Sequence, residues 1–277
     1  MGELEKLIFN HQKKYPYSIF LLILLGSLNN QIGKYASAID NFKRILEIKP
    51  KFTDAHYNLG VVYKKINDLT KSEIHYKQSI SLNPKKFEAY NNLGNIYKDQ
   101  NKISLAVENY LKCLEINPDY LIALQNFGVC LQNFHFLKQS LIVERHILRL
   151  LDKDKILRPV DIIQSLISYL YLDKKFKKLI VNFDNNKNNH LLDNLIEDVL
   201  NIKILIKTLK LTPITDKKIE RFIRYLRRNI LINIEFINNK EAAFQLIKAI
   251  ASQCFINEYI YPISKEEDKL IISIEKK

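Results

Sequence analysis

Hydrophobic residues recur at helical spacing along most of this chain, with polar turns between the stretches. In the first half the pattern comes in blocks of 34 residues. Each block carries an apolar-Gly pair, Leu25-Gly26, Leu59-Gly60, Leu93-Gly94 and Phe127-Gly128, followed three residues on by Asn29, Tyr63, Tyr97 and Leu131. A small residue opens a second stretch (Ala38, Ser72, Ala106, Ser140), and an aromatic stands four residues later at Phe42, Tyr76 and Tyr110. Pro16, Pro50, Pro84 and Pro118 keep the same clock. A fixed period of this length predicts stacked helix–turn–helix units. Four are expected, over residues 17–50, 51–84, 85–118 and 119–152, preceded by a capping half-repeat helix in residues 1–16. Leu4 and Ile8 take the small and aromatic positions of that half-repeat; an amphipathic helix unrelated to the repeats is the alternative reading of the same residues. The fourth unit is degenerate, with Glu144 in place of the aromatic and Asp152 in place of the closing proline.

Each choice has a physical reason. Gly in mid-helix costs about 1 kcal/mol relative to Ala, so its retention at Gly26, Gly60, Gly94 and Gly128 implies a compensating contact. The expected contact is close approach of the first helix to the small residue of the second, with the aromatics filling the gap between adjacent repeats. Proline at Pro50, Pro84 and Pro118 stops the second helix because it lacks the N–H to continue the ladder. Gly33 sits where the first helix of block one should end, a natural C-cap.

Residues 153–277 are expected to be all-helical with weaker periodicity. Arg158-Pro159-Val160-Asp161 opens a helix through Ile163, Leu166, Ile167 and Leu170. A second is expected across Leu191 to Leu209, after an exposed loop at Asp184 to Asn189. Thr215 or Asp216 caps a third, on which Phe222, Ile223, Leu226 and Ile230 line one face and Arg221, Arg224 and Arg228 the other. Lys240 to Phe255 forms another, and a short last one is expected from Ser264 to Lys276.

The block pattern resembles the tetratricopeptide repeat (TPR). That resemblance implies an all-α fold, a right-handed superhelical solenoid followed by an irregular helical domain, whose first helices line a concave face and bind other polypeptides. Leu24, Asn58, Asn92 and Asn126 stand two residues before each block glycine. The three asparagines resemble the asparagine ladder in the TPR domain of O-GlcNAc transferases, which implies a site for an extended peptide backbone. A carboxamide offers one acceptor and two donors, matching the C=O and N–H of a peptide group. Asn95, Lys64 and Lys98 join the candidate face, with Tyr57, Asn91 and Gln125 nearby. Asn before Leu-Gly is also common in such units, and the chain is rich in Asn.

Further on, LTPITDKKIERFIRYLRR and AFQLIKAIASQCFINEYIYPISKEED resemble the helical connector of bacterial TPR-containing methyltransferases. The matching residues are Glu220, Leu226, Arg227, Arg228, Gln253, Cys254, Phe255, Asn257, Glu258 and Tyr259. In that family a methyltransferase domain follows the connector, so the chain could be a substrate-recruiting portion of such an enzyme or, less closely, of an O-GlcNAc-transferase-like protein. No glycine stands beyond Gly128, so residues 129–277 hold none of the Gly-rich turns that cradle nucleotide cofactors.

Composition adds exclusions. The 277 residues suffice for one large or two ordinary domains, and the apolar content of 47% is that of a globular protein. The net charge of +13 comes mostly from scattered lysines, and only Arg221, Arg224, Arg227 and Arg228 cluster. A solvated helix face or internal ion pairs account for that cluster, and no nucleic-acid partner is expected. Cys113, Cys130 and Cys254 lie far apart, and His135, His146 and His190 are isolated, so neither a metal site nor catalysis is expected. Cys254, beside Phe255, reads as a small buried hydrophobe. No secretory signal or membrane span is seen, and a cytoplasmic location is the default. The reading is a noncatalytic interaction scaffold, without cofactor, for a protein or peptide partner; homo-oligomers are allowed through exposed apolar end faces.

Overall fold

In this computed structural model the described residues are 10, 11, 13–132, 134–153, 156–184, 192–235 and 237–256. The expected half-repeat helix at 1–16 is therefore largely outside them, as are the Asp184–Asn189 loop, His190, the final helix at 264–276, and Asn257, Glu258 and Tyr259. The side chains of Cys254 and Phe255 are outside them too. Among the described residues there are 14 α-helices and no strand. The fold is all-α. The chain divides into two compact units, Met1–Phe127 and Gly128–Lys277.

In the first unit the helices come as antiparallel pairs: α1 (Ile19–Gln31) with α2 (Tyr35–Ile48), α3 (Thr53–Lys65) with α4 (Leu69–Leu82), and α5 (Phe87–Asp99) with α6 (Ile103–Ile116). Helix α7 (Leu121–Leu131) follows. Each pair packs on the next, and the first helices α1, α3 and α5 are neighbours. The chain reverses within each pair through one residue at positive φ, Gly33 (80°), Asn67 (62°) or Asn101 (59°), again 34 residues apart. Asn tolerates this left-handed region better than most side chains, so it substitutes for Gly. The N–H groups of Lys34, Asp68 and Lys102 then reach back to the carbonyls of Asn29, Tyr63 and Tyr97 at 2.7–2.9 Å, closing each first helix.

The block glycines meet an aromatic. A methyl group on Gly26 would lie 2.7 Å from the Phe42 ring, one on Gly60 2.7 Å from Tyr76, and one on Gly94 2.7 Å from Tyr110. The aromatics thus press on the glycine of their own repeat, where a filler between repeats was expected. The small residues share the contact: the buried Ser72 hydroxyl donates to the Gly60 carbonyl at 2.7 Å. All three rings are fully buried. In the fourth block Glu144 supplies no ring, and Gly128 faces Leu150 and Leu157 instead. The helix also starts late: Ser140 is the N-cap of α8 (Leu141–Leu151), whereas Ala38, Ser72 and Ala106 are the fourth residues of theirs.

The second unit continues through a 3-10 turn at Pro159–Ile162 into α9 (Ile163–Leu170), then α10 (Lys174–Asp184). The helix expected across Leu191 to Leu209 is two, α11 (Leu192–Leu200) and α12 (Lys203–Leu211). Asn201, a poor helix former, sits at the break. There Leu195, Ile196 and Val199 bury one stripe and Ile204, Leu205 and Leu209 another. Helices α13 (Lys217–Ile232) and α14 (Lys240–Ile256) complete it. Asp216 caps α13, accepting from the N–H groups of Lys218 and Ile219 at 3.0 and 2.9 Å. On that helix Phe222, Ile223, Leu226 and Ile230 are buried as expected, while Arg224 pairs with Glu220 at 3.6 Å. Gln253 on α14 is fully buried and holds the α12–α13 linker: its oxygen accepts from Ile214 N–H at 2.8 Å, and its amide donates to the Thr212 carbonyl at 2.8 Å.

Two substitutions test these contacts. Gly60→Ala forces a methyl into the Tyr76 ring; overpacking of about 1–3 kcal/mol outweighs the gain in helix propensity of about 1 kcal/mol. The melting temperature is expected to fall, and less than additively in combination with Tyr76→Leu. An unchanged or raised melting temperature would remove the contact as a constraint. Gln253→Leu leaves the Ile214 N–H and the Thr212 carbonyl without this partner, at about 1–3 kcal/mol for each buried group. Its signature is faster hydrogen exchange at Ile214, with the amides of residues 55–115 unaffected.

Candidate peptide-binding face

The stacking that the glycines permit brings equivalent turns of the first helices side by side. Asn126 on α7 donates to Asn91 Oδ1 on α5 at 3.0 Å. Asn91 Nδ2 lies 3.4 Å from Asn92 Oδ1, and Asn92 donates in turn to the Tyr57 hydroxyl on α3 at 3.2 Å. Four side chains on three successive first helices thus form one relay. Asn91 is only 3% exposed, so its amide is committed to this network, whereas Asn92, Asn126 and Tyr57 are half-buried. Burial pushes the Tyr57 hydroxyl above its ordinary range, against the opposing effect of the Asn92 amide. Lys86 lies over the Tyr57 ring, 5.0 Å from its centre, and pairs with Asp54 at 3.0 Å.

The six expected peptide-binding residues divide on this geometry. Asn92 and Asn126 are drawn together through Asn91. Asn58 is half-buried and has no side-chain partner among the described residues. Asn95 is turned toward its own repeat, accepting from the Tyr110 hydroxyl at 2.8 Å. Lys64 pairs with Asp99 of the next first helix at 3.5 Å, and Lys98 is half-buried without an ion-pair partner among the described residues. Asn91 and Tyr57 carry more of the arrangement than their place beside the ladder suggested. The signal for them is a spacing of 35, one repeat plus one residue, which a strict 34-residue alignment passes over.

Sequence reading also missed a histidine pair inside the second repeat. His56 on α3 and His75 on α4 face each other, Nδ1 to Nδ1, at 3.1 Å. The Tyr63 ring stacks on His75 with an interplanar angle of 5° and a centre distance of 5.4 Å, and Lys71 lies over Tyr63. One imidazole must donate and the other accept, so the pair is bonded only while at least one ring is neutral. Burial, then the neighbouring His56 and Lys43, push His75 down to about 4; burial also lowers His56, opposed by the Pro50 backbone. No group of three or more His, Cys, Asp or Glu among the described residues is placed to hold a metal ion. His146 is buried at 1% exposure on α8, and burial pushes it down to about 4.

Two family models described as tetratricopeptide repeat match residues 53–86 and 87–120, and one described as TPR repeat matches residues 26–67. No curated protein matches the chain. Among solved structures it is similar to the crystal structure of MamA, at 23% identity over 55% of this chain and 86% of that chain, with a TM-score of 0.47. It is similar also to the first TPR of Spaghetti (RPAP3) bound to HSP90 peptide SRMEEVD, at 22% identity over 41% of this chain and 90% of that one, with a TM-score of 0.40. A Thermobaculum terrenum O-GlcNAc transferase mutant has 21% identity over 50% of this chain and 26% of that one, with a TM-score of 0.42.

The histidine pair makes the repeats acid-sensitive. The folded value of His75 lies at about 4, below its ordinary 6.5, so the unfolded chain binds more protons between those limits. Its contribution to stability is complete above about pH 6.5 and is lost as the pH falls toward 4. His75→Phe keeps a ring against Tyr63 but does not titrate. The fall in melting temperature between pH 7.5 and 4.5 is expected to be smaller in this variant, and an equal fall would exclude the pair; His146 remains in both proteins.

Proposed function

This chain is a tetratricopeptide-repeat protein, and on that premise we propose that it is an interaction scaffold binding an extended segment of a partner protein along its first helices. The observation that carries the reading is the relay Asn126–Asn91–Asn92–Tyr57 across three first helices. Asn92 and Asn126 each keep an amide N–H and acceptor capacity beyond the bonds they make to one another's network, and Asn58 keeps its whole amide. A peptide laid across them finds donors and acceptors at each repeat. Each bond nets about 0.5–1.5 kcal/mol, so affinity accumulates along the stack and depends little on which side chains the backbone carries.

Chemistry of the thiols and helices fits the same role. Cys113 and Cys130 are buried, and burial pushes the Cys113 thiol up to about 12, far from a reactive thiolate. They suit a reducing, cytoplasmic setting. None of the described helices is long and apolar enough to cross a membrane.

A random dodecapeptide phage library panned on the full chain supplies the test. Selected peptides, made synthetically and followed by fluorescence polarisation, are expected to lose at least tenfold in affinity with the Asn58→Ala, Asn92→Ala, Asn126→Ala triple variant. Thermal melting of that variant serves as the control for folding. Unchanged affinity would remove the ladder from the site, and failure to select any peptide would overturn the reading.

A further inference from the structure

The face proposed above is not uniform along its length. The 34-residue register places Phe20, Asp54, Glu88 and Ile122 at one position of successive first helices, one turn before Leu24, Asn58, Asn92 and Asn126. Residues four apart share a helix face. At the α1 end that face is apolar and uncovered: Phe20 is 69% exposed and Leu24 38%. At the α7 end Ile122 is 54% exposed. The opposite sides of the same helices are buried, at Leu22 and Leu25 on α1 and at Ala123, Leu124 and Phe127 on α7. These exposed side chains are therefore not part of the core.

Between the apolar ends the same register holds two carboxylates, Asp54 and Glu88. Lys86 pairs with Asp54 at 3.0 Å and also lies within the field of Glu88, so one ammonium serves two acids. At this register position the two carboxylates exceed the one ammonium by one negative charge, in a chain whose net charge is +13, while Lys98, without an ion-pair partner among the described residues, lies further along α5.

We infer that the occupant is an extended segment of a partner protein carrying an apolar side chain toward each end and a Lys or Arg between them. The inference rests on the peptide-binding reading above. Helix axes pack about 8–10 Å apart, so three steps from α1 to α7 span roughly 24–30 Å. At about 3.3 Å per extended residue the two apolar anchors stand roughly seven to nine residues apart. One anchor covers Phe20 and Leu24, and the other covers Ile122. The basic side chain completes the charge at Glu88, while the amides of Asn58, Asn92 and Asn126 hold the backbone. The apolar ends confer register, which a row of amides alone does not.

The selected dodecapeptides decide this. They are expected to share two aromatic or aliphatic residues at that separation with Lys or Arg between, and to lose at least tenfold in affinity with Phe20→Asp and with Ile122→Asp. Both sites are exposed, so melting should not change. Glu88→Gln is expected to reduce the preference for a central Lys or Arg over Gln by at least threefold, and to flatten its dependence on salt. Peptides that depend on Asn58, Asn92 and Asn126 but are indifferent to Phe20→Asp and Ile122→Asp would overturn this inference and leave the scaffold reading standing. Peptides indifferent to both sets of substitutions would overturn both. If Phe20→Asp instead converts a dimer to a monomer in sedimentation without altering peptide affinity, the apolar end is an interface between copies and the inference fails.

Discussion

Everything in the first unit depends on a ring pressed against a helix that has no side chain at that point. Gly26, Gly60 and Gly94 each leave 2.7 Å between a missing methyl and the ring of Phe42, Tyr76 or Tyr110. Glycine in mid-helix costs about 1 kcal/mol, but a fully buried aromatic side chain contributes about 1.5–3 kcal/mol. The exchange favours the pair, and it fixes how near the two helices of a repeat lie. Where the ring is lost the repeat geometry goes with it. Glu144 stands in the aromatic position of the fourth block, its second helix begins a turn late, and the division between the two units falls at Phe127 and Gly128.

That spacing governs what the first helices display. Because each pair has the same thickness, successive first helices stack with equivalent turns abreast, and side chains separated by 35 residues come within hydrogen-bond reach. The positive-φ residues Gly33, Asn67 and Asn101 keep the turns identical, so the stacking does not drift. The scaffold thus sets the face by repetition. What differs between repeats at equivalent positions, Phe20 against Asp54 against Ile122, is free to vary because those side chains bear none of the core.

Most of this architecture was legible from glycine, proline and aromatic spacing, since each of those residue types answers a local steric or hydrogen-bonding demand. The three buried rings, the Gly33 cap and the apolar face of α13 lie where the pattern placed them, and of the two caps it offered, Thr215 and Asp216, the structure uses Asp216. What spacing did not reveal is the direction in which a side chain points. It located Phe42, Tyr76 and Tyr110 but put them between repeats, when each leans on its own glycine. It aligned Asn58, Asn92 and Asn126 but not Asn91, which joins the latter two, and it gave no sign that Asn95 turns to Tyr110 or Lys64 to Asp99. Long-range partners such as Gln253 and the α12–α13 linker, about 40 residues apart in sequence, have no periodic signature at all. The break at Asn201 was hidden because the apolar residues on either side fit one continuous helix as well as two.

The network of amides bears on binding in a way that a list of exposed asparagines does not. Hydrogen bonds among Asn126, Asn91, Asn92 and Tyr57 look at first like competition, since a bonded amide has less left for a ligand. The inventory argues otherwise. A carboxamide has two N–H donors and two acceptor lone pairs, and the relay uses only part of that capacity at Asn92 and Asn126. In exchange it holds both side chains in one orientation. Ordering a free side chain on binding costs about 0.5–1.5 kcal/mol, nearly as much as one hydrogen bond returns, so a row of loose amides gains little from a peptide. A row already ordered by a buried Asn91 keeps most of what each bond yields. On the proposed reading Asn58, which lacks such a partner, would contribute less per bond than Asn92 or Asn126, and the strength with which the face held a peptide would lie toward α5 and α7.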